Sequence, residues 1–356
     1  VEQKIRTLFF KASRPIGEVP KLDPIRVARN HLQNIATTLV LDTNILIKME
    51  RVVRSGNKVS AIKPAGLHNL LALLERCPSQ NIYLSPAFAF GEMPPALAEN
   101  CRQAFDVFLA RHLPNFVDSP DSIPATYSGK SKDYGFFDLE LNAQMVLAVP
   151  FCSLVYLQVV DRMSRLKPIE KFERYLDMAE EELDVLSAKE VEIARYCFAN
   201  PRSDSRELID LRRVFRRNFV QTKEETLPRS PEQLLAVAFN GASDLNLLNS
   251  ANVLDNQALD GIIQDCWITT TDKKLERFSQ ISHSINFDNE AGKIAASEIL
   301  AAHADDSYWE ASSRIFHLRC ARRAPKYWSQ SPDVQRYPEI AKRAALLAHE
   351  SFNTSD

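Results

Sequence analysis

The stretch Thr38-Leu39-Val40-Leu41-Asp42-Thr43-Asn44-Ile45-Leu46-Ile47 constrains the fold more than any other. Leu39, Val40 and Leu41 make a short continuous apolar run, the pattern of a strand buried on both faces of a parallel sheet. Asp42 falls where that strand ends. Thr43 and Asn44 are turn and N-cap types, and Ile45, Leu46 and Ile47 begin an apolar run suited to a helix. Ligands of open α/β sheets bind beyond the carboxyl ends of the strands. A carboxylate there is placed to hold a metal or polarise a substrate. The bland alternative is an Asp that only caps the next helix.

The pattern repeats downstream. Leu67 to Leu74 has helical spacing up to Pro78, Ile82-Tyr83-Leu84 reads as a second strand, and Ser85-Pro86 opens a helix running to Glu92. Strand, helix, strand, helix predicts a parallel sheet. The polar stretch Val52 to Pro64 reads as a loop, and Asp23-Pro24 opens a short helix before the first strand. Beyond Pro94-Pro95 the chain is mostly helical up to about Asn240. Within it, Pro114 to Tyr134 reads as an exposed loop, Arg206 to Val220 as a basic helix, and Ser187 to Glu190 as a capping box. Met145 to Val160 is strongly apolar but shorter than the ~20 residues of a membrane span, so a buried helix is expected. Ala242-Ser243-Asp244 then opens a helix, Cys266-Trp267-Ile268-Thr269 forms a strand delivering Thr270-Thr271-Asp272, and Ile281 to Phe287 makes a last strand. The expected organisation is an N-terminal helical extension (1–36), a core in two parts (37–92 and 241–289), a helical insertion (93–240) and a C-terminal helical extension (290–356).

Two strands therefore end in an acid, Asp42 and Asp272, and two helices beside them carry Glu92 and Asp244. Clustered carboxylates repel unless a cation neutralises them. Oxygen-rich sites select Mg²⁺ or Mn²⁺, ions that activate water and stabilise a phosphodiester transition state. The order Leu-Asp-Thr-Asn-Ile-Leu, a Glu after strand two, a helix opening on Asp and finally Ile-Thr-Thr-Thr-Asp resembles the PIN-domain nucleases. The resemblance covers residues 37 to 92 and 241 to 287. It implies an α/β/α fold, an Mg²⁺ or Mn²⁺ site on Asp42, Glu92, Asp244 and Asp272, and Asn44 and Thr270 orienting ligands or water. It also implies RNA as the favoured substrate, with DNA as the alternative, in an endoribonuclease of toxin or defence type. The spacing from Glu92 to Asp244 is far longer than a minimal PIN domain has, and Asp255 or Asp260 is an alternative third acid.

Two basic segments are candidates for the nucleic-acid backbone. The first carries Arg206, Arg212, Arg213, Arg216 and Arg217. The second carries Arg314, Arg319, Arg322, Arg323 and Lys326 near Phe316, Tyr327 and Trp328. Arg interleaved with aromatic residues suits single strands. The bland alternative is a solvated helix face, paired in the first segment with Glu207 and Asp210.

The net charge of -2 brings no global attraction to nucleic acid or membrane. With 9 Gly in 356 residues and no GxGxxG or P-loop string, nucleotide-cofactor folds lose support. Six scattered cysteines without a CxxC pair fit a reducing cytoplasm, and Val1 to Phe10 lacks the apolar core of a signal peptide. A homo-oligomer or an inhibitory protein partner is compatible with the helical additions. Two rival functions remain: a catalytically inactive nucleic-acid-binding or scaffolding protein, and a hydrolase of small phosphoesters.

Overall fold

The computed structural model describes residues 5–14, 18–118, 120, 123, 127, 129, 133–199, 206–286, 293–297, 307–329 and 333–353, with backbone alone for 285–286, 293–297 and 327–329. It is a mixed α/β protein, mostly helical, with a small sheet of parallel and antiparallel strands. The chain divides into two compact units, one of Val1–Tyr134, Leu247–Ser279 and His283–Ile294, the other of Gly135–Asn246, Gln280–Ser282 and Ala295–Asp356.

In the first unit the apolar run around Val40 becomes strand β3 (Ile35–Leu41), central in a sheet ordered β1-β6-β3-β4. Strands β4 (Ile82–Ser85) and β6 (Ile262–Thr270) flank it in parallel. Strand β1 (Leu8–Phe10) pairs antiparallel with β6, and β5 (Ala258–Leu259) hairpins onto the start of β6. Leu39, Val40 and Leu41 are fully buried, as a strand covered on both faces must be. Val27 of helix α1 (Pro24–Leu32), Ile45, Leu46 and Met49 of α2 (Thr43–Arg54), and Phe108 of α6 (Pro95–His112) join Leu39, Leu41 and Trp267 in one core. A second small sheet begins where β2 (Ser13–Arg14) pairs in parallel with β7 (Ser282–Asn286).

A buried charge network ties the N-terminal segment to β6. Lys11 Nζ donates to Asp255 Oδ1 and, at 2.8 Å, to Asp265 Oδ1. Ser13 Oγ donates to Asp255 Oδ2 at 2.6 Å, and the Cys266 N–H donates to Asp255 Oδ1 at 2.9 Å. Asp265 accepts further from Arg26, Asn30 and Trp267. Despite burial, these hydrogen bonds and the Lys11 and Arg26 charges hold its carboxyl well below the usual range.

The second unit holds α7 (Leu141–Asp161), α8 (Pro168–Met178), α9 (Ala188–Phe198), α10 (Arg206–Phe219), α13 (Ser307–Ser329) and α14 (Tyr337–Asn353). The apolar helix expected from Met145 to Val160 is longer, 21 residues, and so is long and apolar enough to cross a membrane. Here α14, α8 and α9 pack against it, and Phe151, Val155, Tyr156 and Val160 are fully buried.

Several expectations are corrected. The stretch from Val52 to Pro64 is not a loop: α2 runs to Arg54, and α3 (Val59–Ala65) ends on Gly66 at φ +80°. Residues 1–36 contribute two strands besides α1. Strand β8 (Lys293–Ser297) interrupts the segment expected to be wholly helical. Helix α6 joins the first unit rather than the insertion, and the C-terminal helices belong with the insertion's own. Residues 119, 121–122, 124–126, 128 and 130–132 of the loop expected from Pro114 to Tyr134 lie outside the described residues, as do the side chains of Tyr327 and Trp328. Helix α11 (Pro231–Leu254) begins well before Ala242. It passes through Gly241, where an added Cβ would meet Leu154 at 2.7 Å and Phe219 at 3.0 Å. The glycine is there for close packing and does not mark a break.

Removing one partner of a buried ion pair costs about 3–5 kcal/mol, because the other charge stays buried. Lys11→Met leaves Asp255 and Asp265 under-compensated, so urea denaturation should show a loss of that order at pH 7. Asp265 has a folded-state pKa below its ordinary 3.8, so its contribution is complete above pH 3.8 and fades as pH falls below it. A wild-type stability unchanged between pH 5 and pH 2 would contradict this linkage.

Candidate functional site

The site is built at the carboxyl ends of β3 and β6. Register pairs Leu41 with Thr269, and the ladder continues one step further: the Asp42 N–H donates to the Thr269 carbonyl at 3.0 Å. Each strand then turns into a helix, β3 into α2 and β6 into α12 (Lys273–Ile281). Asp42 is the N-cap of α2, with Oδ1 accepting from the Asn44 N–H at 3.2 Å. Asp272 caps α12 in the same way, Oδ1 accepting from the N–H groups of Lys274 at 2.6 Å and Leu275 at 3.2 Å. Both acids are thus real helix caps, and the cap geometry aims them at the same edge of the sheet.

A polar lattice locks the two turns together. Asp42 Oδ2 accepts from the Thr270 hydroxyl and from Asn44 Nδ2. Asn44 Nδ2 also donates to Thr270 Oγ1 at 2.9 Å, and Asn44 Oδ1 accepts from the N–H and hydroxyl of Thr271, each at 3.1 Å. Thr270 Oγ1 in turn accepts from the Asp272 N–H at 2.9 Å. Asn44 and Thr270 thus hydrogen-bond the Asp42 carboxylate, and Thr270 also bonds the Asp272 backbone. Glu92 is the C-cap of the short helix α5 (Ala87–Gly91) and is 6% exposed. It accepts from the Thr43 hydroxyl at 3.3 Å, which brings it beside Asp42.

Asp42 is the electrostatic focus. Burial pushes its carboxyl up to about 6, assisted by the Asp272 charge and opposed by hydrogen bonds from Thr270 and Asn44 and by the Lys48 ammonium. Lys48 stands on α2 one turn beyond Asn44, and its ammonium donates to Thr271 Oγ1. Burial lowers its pKa, while the Asp42 and Asp272 charges work to raise it. Burial and the charges of Glu92, Cys101 and Asp42 push the Tyr134 hydroxyl up, which sets that ring by the same acids.

Lys48, Thr271, Thr43 and Tyr134 were not anticipated. Lys48 had a signal, the i,i+4 spacing from Asn44 on one helix face. Tyr134 follows the Pro/Ser/Asp-rich stretch and had none. Asp244 departs from the expectation in its place along the helix. It does not open a helix but lies well inside α11, in the second unit. The two alternatives do not replace it: Asp255 is engaged by Lys11, Ser13 and Cys266, and Asp260 sits exposed in the β5–β6 turn at φ +51°.

The basic segments make their ion pairs within the second unit. Arg216 is bidentate to Asp161 at 2.8 and 2.7 Å, and Arg213 reaches Asp210 at 3.3 Å. Arg212 has a buried Nε without a hydrogen-bond partner. On α13, Arg319 bonds Asp177 and Glu180, both at 2.7 Å, and Arg322 bonds Glu180 at 2.9 Å. Arg323 and Lys326 bond Asp184. The α13 basic cluster, which has no acid in its own sequence, receives acids from α8 and the π-helical turn after it. Arg314 is exposed.

The donor set at the sheet edge, Asp42, Glu92 and Asp272, is oxygen-only, the chemistry of a hard divalent cation. A buried carboxylate held near 6 is one that an added cation would stabilise in its charged form. Among the described residues no three acidic, histidine or cysteine side chains already gather as a metal-binding group. No protein-family model, curated protein or solved structure matches the chain.

Folding disfavours the charged form of Asp42, so its carboxylate destabilises the protein increasingly from pH 3.8 to about 6 and fully above that. At about 1.4 kcal/mol per pH unit the cost is of order 3 kcal/mol. Asp42→Asn should therefore be more stable than wild type at pH 8 in metal-free buffer, with the gap closing toward pH 4 in thermal unfolding. A less stable variant at pH 8 would show that the Asn44 and Thr270 hydrogen bonds outweigh desolvation.

Proposed function

We propose that the edge formed by Asp42, Glu92 and Asp272 serves a metal-dependent nuclease that hydrolyses phosphodiester bonds, with RNA as the first substrate to test and DNA the second. The observation that carries this reading is the Asp42–Asn44–Thr270–Asp272 lattice at the ends of two parallel strands, which holds two buried or half-buried carboxylates against their mutual repulsion. It is supported further by the PIN-like order of motifs on which those residues lie. Asp42, Glu92 and Asp272 would hold Mg²⁺ or Mn²⁺. A bound divalent cation supplies water activation and charge stabilisation at the phosphodiester. Asn44 and Thr270 fix the Asp42 carboxylate, and Lys48 and Tyr134 stand where they can meet a phosphate oxygen or a ribose. Asp244 keeps no argued role beyond the motif order. An endoribonuclease of toxin or defence type, acting in the cytoplasm, is the biological form that the PIN-like resemblance implies.

Lys48 also favours a second reading. Its ammonium, which bonds Thr271 and feels the charges of Asp42 and Asp272, provides without a metal the positive charge that the acids need, as suits an inactive nucleic-acid-binding or scaffolding protein.

The test is incubation of end-labelled single-stranded RNA and DNA with the protein in Mg²⁺ or Mn²⁺. Cleavage should stop with chelator and fall by about 10²-fold or more in Asp42→Asn and Asp272→Asn, the loss seen when one electrostatic stabiliser of a transition state is removed. Cleavage that survives both substitutions would remove the assignment. Binding of nucleic acid without any cleavage would support the second reading.

A further inference from the structure

A separate pocket lies at the other end of the same strands. Arg26, Arg29, Asn30, Gln33, Ile35, Asn256 and Asp265 line a polar hollow of about 280 Å³. Four of these residues, Arg26, Arg29, Asn30 and Gln33, follow the i, i+3, i+4, i+7 spacing that puts side chains on one face of a helix. Asp265 pairs with Thr37 in the β3–β6 register, four residues before Thr269. At ~3.3 Å per residue, the pocket is about 13 Å along the strands from the Asp42 edge.

The carboxylate in the pocket is already saturated. Asp265 Oδ1 accepts from Lys11 and Arg26, and Oδ2 accepts from Arg26, Asn30 and Trp267. The Arg26 guanidinium is held in this fork and lies 5.0 Å from the Trp267 ring centre, so its orientation is fixed before any ligand arrives. Its second amino group has no part in the fork. Arg29 is exposed and has no ion-pair partner among the described residues, and Gln33 and Asn256 add exposed amides to the rim. With Asp255 and Asp265 set against Lys11 and Arg26, the Arg29 charge remains over.

We infer that this pocket binds a small phosphate-bearing ligand, inorganic phosphate or a compact phosphomonoester, through Arg29, Arg26 and the rim amides of Gln33 and Asn256. One guanidinium fork satisfies the two coplanar oxygens of a carboxylate. Donors arriving from α1 and from the β5 approach, in different directions, match a tetrahedral anion instead. The hollow is the size of a single small ligand and far smaller than a polymer groove. This site stands apart from the proposed nuclease edge and does not depend on it.

The experiment is isothermal titration calorimetry of the full chain at constant ionic strength with inorganic phosphate, phenyl phosphate and acetate, on wild type, Arg29→Ala, Gln33→Ala and Asp42→Asn. Arg29 and Gln33 are exposed, so their variants should keep wild-type circular dichroism. Saturable binding of one phosphate per chain is expected, weakened about tenfold or more in Arg29→Ala, as for loss of a charge-assisted hydrogen bond, and also reduced in Gln33→Ala. Asp42→Asn should bind as wild type, and acetate should not compete. Absent or non-saturable binding, equal affinity in Arg29→Ala, or loss in Asp42→Asn would each overturn the site. Equal binding of acetate would overturn the phosphate class. Preference between the two phosphate probes decides whether the ligand is the free ion or an ester.

Discussion

The parallel pairing of β3 with β6 is the interaction on which the rest of the first unit depends. Seven residue pairs run in register from Ile35–Ile263 to Leu41–Thr269, and the Asp42 N–H extends the ladder onto the Thr269 carbonyl. That last bond decides the chemistry. A shift of one residue would turn every side chain of the pair to the opposite face and separate Asp42 from Thr270. With the register as it is, two strand-to-helix turns meet, and each acid is both a helix cap and a member of the shared edge.

This arrangement is expensive. A carboxylate 7% exposed, with another nearby, is disfavoured in its charged form, and neither Thr270 nor Asn44 brings a positive charge. The same unit shows how a purely structural acid is treated: Asp265 is surrounded by Lys11, Arg26, Asn30 and Trp267 and is held well below its ordinary pKa. Asp42 and Asp265 are close in burial and opposite in electrostatics. The Lys48 charge opposes the cost at Asp42, and burial lowers its own pKa. Strongly perturbed groups that are left under-compensated concentrate at functional sites, and this contrast is the physical basis for proposing nuclease chemistry at Asp42, while Asp265 fixes the groups around it.

Much of this edge was legible in the sequence because its signals are local. Leu39-Val40-Leu41 is a strand buried on both faces, Asp42 and Asp272 cap the helices that follow, and Asn44 and Thr270 lie within two residues of those caps. What was illegible depends on distant packing. Leu8-Phe9-Phe10 is too short an apolar run to announce a strand, and β1 forms only because the edge of β6 accepts it. Ala242-Ser243-Asp244 reads as a helix opening. Leu154 and Phe219, far away in sequence, require a glycine at 241 inside one long helix instead. The basic α13 helix gave no sign that acids from α8 and the following turn would meet it. Glu92 closes a short helix, Ala87–Gly91, where the stretch from Ser85-Pro86 to Glu92 reads as one.

If Asp42, Glu92 and Asp272 hold a divalent cation, the protein must take one up from solution by itself. Electron paramagnetic resonance of free Mn²⁺ titrated with the metal-free protein at pH 7.5 tests it most directly, because it needs neither a substrate nor turnover. Stoichiometric loss of the free Mn²⁺ signal is expected with wild type, a weaker loss with Asp272→Asn, and the least with Asp42→Asn. Mn²⁺ that stays free in the presence of wild-type protein, or is bound equally by Asp42→Asn, would contradict it.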